Sequence, residues 1–273
     1  MDSNLEFQRR IAKIALAAAA DGDFALAGGA ALREHGITTR PTEDIDLFRR
    51  FGDRDKFIES VNEVCDALKD NGYEATIEQL AGTGSFARLH VSDATGDSVE
   101  IAMGEDYRAS PPVLLDVGPV LSRGDIIGAK VSTACMRTYT RDLIDLDYIR
   151  QAGQYTDREL YQMAEDTDPG TDPGLFRERI GIITQINQDE FDQYDVTADQ
   201  RAAIEDRLQG FSESLRQIDA ERSLPAPPNI HAAALSEQLC HVANNPTPSR
   251  GSDGPNASVQ GPSASAPDTG PSL

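Results

Sequence analysis

Phe24–Phe48 reads FALAGGAALREHGITTRPTEDIDLF, and two features of it decide the fold. Gly28 and Gly29 stand where an apolar run, DFALA, gives way to a helical pattern, AALREHG, that Gly36 closes. The spacing predicts a short buried strand, a glycine turn and a helix. The segment DIDLF then alternates strictly, so Ile45 and Leu47 share one face of a strand and Asp44 and Asp46 the other. Two carboxylates on one face repel each other unless cations bridge them, and hard oxygen ligands select Mg²⁺. A glycine pair that opens a helix suits a phosphate, because backbone N–H groups point at the ligand and no side chain intervenes. Taken singly, each feature also has an ordinary reading, a tight connection for GG and a solvent-facing edge strand for DID. The pair is neither a P-loop, since no Lys-Ser/Thr follows, nor a dinucleotide fingerprint, since the third glycine is missing.

Outward from this stretch, a first amphipathic helix is expected over about 5–20. Its run IALAAAA is short, alanine-rich and flanked by acids, which favours a helix over a signal peptide. A second helix is expected in DRDKFIESVNEVCDALKDNG, stopped at Gly72. Three strand-like runs follow, YEATIEQL, SFARLHVS and DSVEIAMG, and predict an antiparallel meander. In the last of them Glu100 sits between Val99 and Ile101, a costly place for an acid without a partner, and offers a third carboxylate for a two-metal centre. RASPPVLLDVGPVLSRGD reads as a proline-marked connection, and from Ile126 the chain turns helical, with a break at DPGTDP. Further helices are expected at about 175–186 and 198–218. The fold class is therefore α/β of the α+β kind: a mixed sheet with helices, then a helical region, then a tail at 224–273 too rich in Pro, Ser and Gly to build a core.

The 273 residues carry a net charge of −21, which opposes nonspecific adhesion to nucleic acid or anionic membrane. Bases are nevertheless concentrated early, 17 of 25 within residues 1–150. Those available to a polyanion are Arg40, Arg49, Arg50, Arg88, Arg108, Lys130, Arg137 and Arg141. Cys65, Cys135 and Cys240 have no paired spacing, which fits a reducing cytoplasm rather than a disulfide framework or a zinc site. No run approaches membrane-spanning length. His35 and His90 lack partners at metal-ligand spacing.

The order LAGGAAL, RPTEDIDLF, VEIAMGED, the proline-marked link, IIGAKVSTA and RDLIDLDYI resembles AbiEii-type nucleotidyltransferase toxins of type IV toxin–antitoxin systems, within the DNA polymerase β superfamily. The resemblance covers about half the chain. It implies a nucleotidyltransferase domain over 1–120, a helical domain over 121–223 that completes the cleft, and the tail beyond. It further implies that Gly28 and Gly29 cradle the phosphates of an NTP with Thr42 beside the metal pair. Asp44, Asp46 and Glu100 would hold two Mg²⁺ ions, Lys130 would neutralise triphosphate charge, and Asp145 would face the same cleft with Arg141 and Asp142 beside it. The implied activity is transfer of a nucleoside monophosphate to RNA, at the 3′ end of a tRNA, with inhibition of translation and growth, in the cytoplasm, and with a cognate antitoxin as partner. Acceptors of other kinds are a small cationic molecule of the aminoglycoside kind or a protein hydroxyl, and a third reading is a degenerate nucleotide-binding protein. The chain departs from the family at Ala30, where Ser or Thr is common, at Glu100, where Asp is usual, and at Ala129, where an acid often precedes the lysine. These departures predict slower turnover or altered nucleotide choice.

Overall fold

The computed structural model describes residues 3–223, which form one compact unit. The expected tail at 224–273, the short helix expected within it and Cys240 lie outside the described residues.

Helix α1, Ser3–Ala18, leads through a short 3-10 turn to strand β1, Ala25–Leu26, and helix α2, Gly28–Glu34. Strand β2, Asp44–Arg49, is followed by helix α3, Arg54–Asp70. Asp53 caps α3 by accepting from the N–H groups of Asp55 and Lys56 at 2.7 and 3.2 Å, and the helix stops before Gly72, whose φ of +86° a side chain would resist. The meander follows as expected: β3, Glu74–Leu80, β4, Phe86–Ser92, and β5, Ser98–Glu105, are consecutive and antiparallel.

The sheet is larger than that meander. Its order is β3-β4-β5-β2-β1-β7-β6, mixed, with β2 parallel to β5 and β1 parallel to β7. The last two strands, β6, Val113–Leu115, and β7, Gly118–Val120, come from the stretch read as a bare connection. Three-residue strands show no alternation long enough to recognise, and Pro119 weighed against pairing. Its place on so short an outer strand pair costs the ladder little.

Helices α1 and α3 pack on each other and against the sheet, receiving Ile45 and Leu47, which are fully buried. By alternation Asp44 and Asp46 take the opposite face. Across it lies α4, Arg123–Met136, around which α5, Thr140–Gln151, α6, Asp157–Thr167, and α7, Pro173–Gly181, assemble. The helix expected at about 175–186 ends as a 3-10 turn at Ile182–Gln185, the short α8, Gln188–Asp192, lies in the gap before the next expected helix, and α9, Ala198–Arg222, closes the bundle. Threonine caps, whose own N–H groups donate to the Glu159 and Gln200 side chains, start α6 and α9. The buried apolar side chains of sheet and helices form one continuous core.

Helix α5 joins the two parts by charge. Asp142, Asp145 and Asp147 are all buried on it, and each meets an arginine from elsewhere: Arg137 at 2.9 Å, Arg40 at 2.7 Å and Arg207 at 2.7 Å. The Arg40 pair is two-pronged, Nε to Oδ1 and Nη2 to Oδ2, both 2.7 Å, and Lys130 Nζ adds a third contact to Oδ2 at 2.9 Å. Burial by itself would raise the Asp145 carboxyl, but Lys130 and Arg40 outweigh it and hold it below its ordinary value. Its ionised form is therefore favoured by the fold above about pH 4, and that contribution fades as acid protonates it. Asp145→Asn strands two cations in a dry site, and is expected to cost about 3–5 kcal/mol in urea unfolding at pH 7. A variant as stable as the wild type would show that Asp145 does not hold sheet and helices together.

Candidate active site

A cavity of about 440 Å³ lies between the carboxylate face of the sheet and α4. Gly28 and Gly29, Asp44 and Asp46, Phe86 and Arg88 and Asp106 form its sheet side, and Lys130, Met136, Arg137 and Arg141 its helical side. The hydrogen bond from Ala27 N–H to the Asp46 carbonyl, 2.8 Å, fastens the start of α2 to β2.

The glycine pair has a steric reason. Gly28 has φ +61°, and a Cβ there would stand 1.8 Å from Asp46 Oδ2. A Cβ on Gly29 would stand 2.8 Å from both Arg40 Nη2 and Thr42 Cγ2. The carboxylate of Asp46 thus lies directly over the glycine turn, and only glycine leaves it room. Burial, and after it the charge of Asp44, push the Asp46 carboxyl up to about 6 against the opposing pull of Lys130, Arg141 and Arg137. The Asp46 side chain has no hydrogen bond among the described residues, so its negative charge is under-compensated. Two such carboxylates suit a hard divalent cation, and Asp44 and Asp46 are the residues that would hold it.

Other expected residues stand elsewhere. Glu100 was expected as the third carboxylate. It pairs in register with Asp44 and so shares its face, but its side chain is half exposed, turns to Arg88 at 3.6 Å and does not line the cavity. Opposite Asp46 the strand carries Ala102. Among the described residues no three His, Cys, Asp or Glu side chains gather closely enough to hold a metal ion. Thr42 packs its methyl against Gly29 and is not in the cavity lining; its hydroxyl donates to Gln8 Oε1 at 2.9 Å while Gln8 donates back to the Thr42 carbonyl at 2.7 Å. Asp145 lies behind the cavity wall, with both oxygens taken by Arg40 and Lys130. Lys130 itself lines the cavity and is mostly buried. Ala30 is buried away from the cavity, so the missing hydroxyl removes no group from this surface.

Of the eight candidate bases, Arg40, Arg88, Lys130, Arg137 and Arg141 reach the cavity. Arg49 is buried against Glu105 at 2.8 Å and over the Phe57 ring, and Arg50 and Arg108 pair with Asp23. The sequence reading missed Tyr139 and Tyr194. Tyr139 carries a signal in RTYTR, an aromatic with an arginine two residues away on each side. Tyr194 carries none.

A seven-stranded mixed sheet with paired carboxylates facing a cationic helix defines a nucleotidyltransferase-like scaffold. The model of the family described as "Nucleotidyl transferase AbiEii toxin, Type IV TA system" matches residues 12–229, and the chain belongs to that family. Among solved structures, JHP933 from Helicobacter pylori is 16% identical, with 81% of this chain and 97% of that one covered and a TM-score of 0.51. A second H. pylori protein is 17% identical over 80% of this chain and 99% of its own, at 0.50. MenT4, a nucleotidyltransferase toxin from Mycobacterium tuberculosis H37Rv, is 18% identical over 76% and 93%, at 0.46. At these identities the two H. pylori structures show a shared fold. The comparison with curated proteins gives no match. Family and fold make this chain a nucleotidyltransferase of the toxin class, and no helix among the described residues is long and apolar enough to cross a membrane.

Two outcomes are expected. Because the folded value of about 6 for Asp46 exceeds the ordinary 3.8, its ionisation penalises the metal-free fold. The penalty is absent below about pH 4, grows toward pH 6 and is complete above it. Asp46→Asn should therefore stabilise the chain in EDTA by about 3 kcal/mol at pH 8, and by little at pH 4. A thermal-melt difference that is the same at both pH values would contradict this. Gly28→Ala should drive the Asp46 carboxylate from its seat, lowering turnover at least tenfold and stability by about 1–3 kcal/mol. Wild-type turnover in that variant would show that the glycine turn does not position Asp46.

Proposed function

We propose that the chain transfers a nucleoside monophosphate from an NTP to the 3′-hydroxyl of an RNA, with a tRNA end as the acceptor and Mg²⁺ as the cofactor. The observation that carries this reading is Asp46 against Gly28 with Asp44 beside it in the same cavity and Lys130 across it. The acceptor 3′-oxygen bonds to the α-phosphorus as the bond to the bridging oxygen breaks; pyrophosphate leaves and the hydroxyl gives up its proton. Magnesium bound by Asp44 and Asp46 would supply charge neutralisation at the triphosphate and favour the ionised hydroxyl. Lys130 lies where its ammonium, steadied by Asp145, can meet phosphate oxygens with its remaining N–H groups. Arg40 spends its Nε and Nη2 on Asp145 and its Nη1 on the Pro41 carbonyl at 2.8 Å, so it props Asp145 and Lys130 rather than reaching for the substrate. Asp145 and Arg40 are positioning residues in this reading, and Glu100 and Thr42 have no direct part. Transfer of this kind to a tRNA would block translation in the cytoplasm, with an antitoxin restraining it.

The net charge of −21 favours a second reading, in which the acceptor is a cationic small molecule. Incubation with α-phosphate-labelled NTPs and Mg²⁺, offering tRNA, an aminoglycoside and protein as acceptors, separates the two. Label is expected in tRNA. Asp46→Ala should abolish it, together with growth inhibition on overexpression. Lys130→Ala should lower kcat/KM for the NTP roughly ten- to a hundred-fold, the loss of a charge-assisted contact of about 1.5–3 kcal/mol. Lys130→Arg should retain part of the rate, since it keeps the charge but changes the reach. Full activity in Asp46→Ala, or label in the aminoglycoside alone, would overturn the proposal.

A further inference from the structure

A second cavity, of about 420 Å³, adjoins the first. The two share Glu43 and Arg141, so whatever fills one ends beside the other. Tyr139, at the turn from α4 into α5, stands in the wall of the second cavity with more than half its surface open. Two guanidinium groups flank its ring: Arg137 at 4.9 Å from the centroid and Arg141 at 5.5 Å. Neither is free to drift. Arg137 is anchored on buried Asp142 at 2.9 Å, and Arg141 reaches Glu43 at 3.3 Å. An exposed tyrosine with guanidinium planes against its ring is a combination that binds single-stranded nucleic acid, bases stacking on the ring edge or on a guanidinium plane and the arginines meeting phosphate.

The acids in the same wall are already engaged. Thr140 Oγ1 donates to Glu190 at 2.9 Å, and Tyr194 donates its hydroxyl to Glu43 at 3.4 Å, alongside Arg141. Of the charged residues lining this cavity Arg141 is the cation and Glu43 and Glu190 the acids, and Arg137 reaches the Tyr139 ring from the wall of the first cavity. The volume suits a nucleotide or two rather than a duplex.

From this juxtaposition we infer that the second cavity is the acceptor site, taking the 3′-terminal nucleotides of a single-stranded RNA end, with Tyr139 as the stacking platform, Arg141 as the phosphate contact within it and Arg137 as the phosphate contact on the side of the first cavity. The inference rests on the proposed transfer to RNA and adds to it the residues that choose the acceptor. Stacked on Tyr139, the last base leaves its ribose near the Glu43–Arg141 boundary, on the side of Asp44. Nucleotide donor and RNA acceptor then occupy separate cavities, and Tyr139 acts on the acceptor alone.

The test measures binding on the full chain, independently of turnover. A 5′-fluorescein single-stranded RNA tetranucleotide with a free 3′-hydroxyl is titrated by anisotropy, and a fluorescent NTP analogue is titrated in parallel. Tyr139→Ala is expected to weaken tetranucleotide binding about tenfold, within the range that loss of one base–aromatic stack gives, and to leave NTP affinity unchanged. Tyr139→Phe should return RNA affinity to within about twofold of wild type, because it keeps the ring. In turnover with RNA, the alanine variant should raise KM for the acceptor and not for the NTP. Equal tetranucleotide affinity in wild type and Tyr139→Ala, or no binding by the wild type, would overturn the acceptor site even if labelled RNA is still produced. If wild type labels no RNA yet binds the tetranucleotide through Tyr139, the site stands and the proposed reaction fails.

Discussion

Asp145 is the point on which the two parts of this chain meet. It lies on α5 in the helical region, yet its carboxylate is gripped from the sheet side by Arg40 and from α4 by Lys130. A carboxylate so deeply buried is costly unless its charge is answered, and two cations more than answer it. The surplus positive charge has to face somewhere, and the open side is the cavity over Asp44 and Asp46. One interaction therefore sets the distance between sheet and helices and also presents a lysine to the carboxylate pair.

The floor of the cavity shows the opposite imbalance. Asp44 and Asp46 face one space because they alternate along a strand, and Asp46 is pressed against Gly28 without a hydrogen bond. Their mutual repulsion is a cost the fold carries in the absence of a ligand. Lys130, Arg137 and Arg141 lower that cost without cancelling it, as the raised Asp46 carboxyl records. Negative floor and positive roof separated by about 440 Å³ form a site that favours a cation below and a polyphosphate above. That polarity is local to a strongly acidic chain: its bases are few, but five of the eight candidates line one cavity.

The alternation of DIDLF and the glycine pair made β2 and the turn into α2 legible in the sequence, because both are local matters of period and backbone freedom. The β3–β5 meander was legible for the same reason. Glu100 shows where local reasoning stops. Its register beside Asp44 follows from strand pairing, but that its side chain turns to Arg88, which lines the cavity, is settled between strands. Thr42 likewise went to Gln8 on α1, a contact between residues 34 positions apart. The β6–β7 hairpin was too short to give a period at all.

By itself the sequence determined the strand that carries Asp44 and Asp46, the glycines beneath it, the family to which the order of motifs points, and the lysine of α4 as a candidate. The strand and the glycines depend on neighbours within a few turns of chain, and the family and the lysine on the order of motifs along it. Tertiary structure alone decided that Asp145 stays behind the wall, that Arg40 supports it, and that Tyr139 and Tyr194 border a second cavity. These depend on pairings such as Arg40 with Asp145, 105 residues apart, which no local pattern encodes. A buried charge takes whichever opposite charge the packing brings within reach, and only the folded chain settles which one that is.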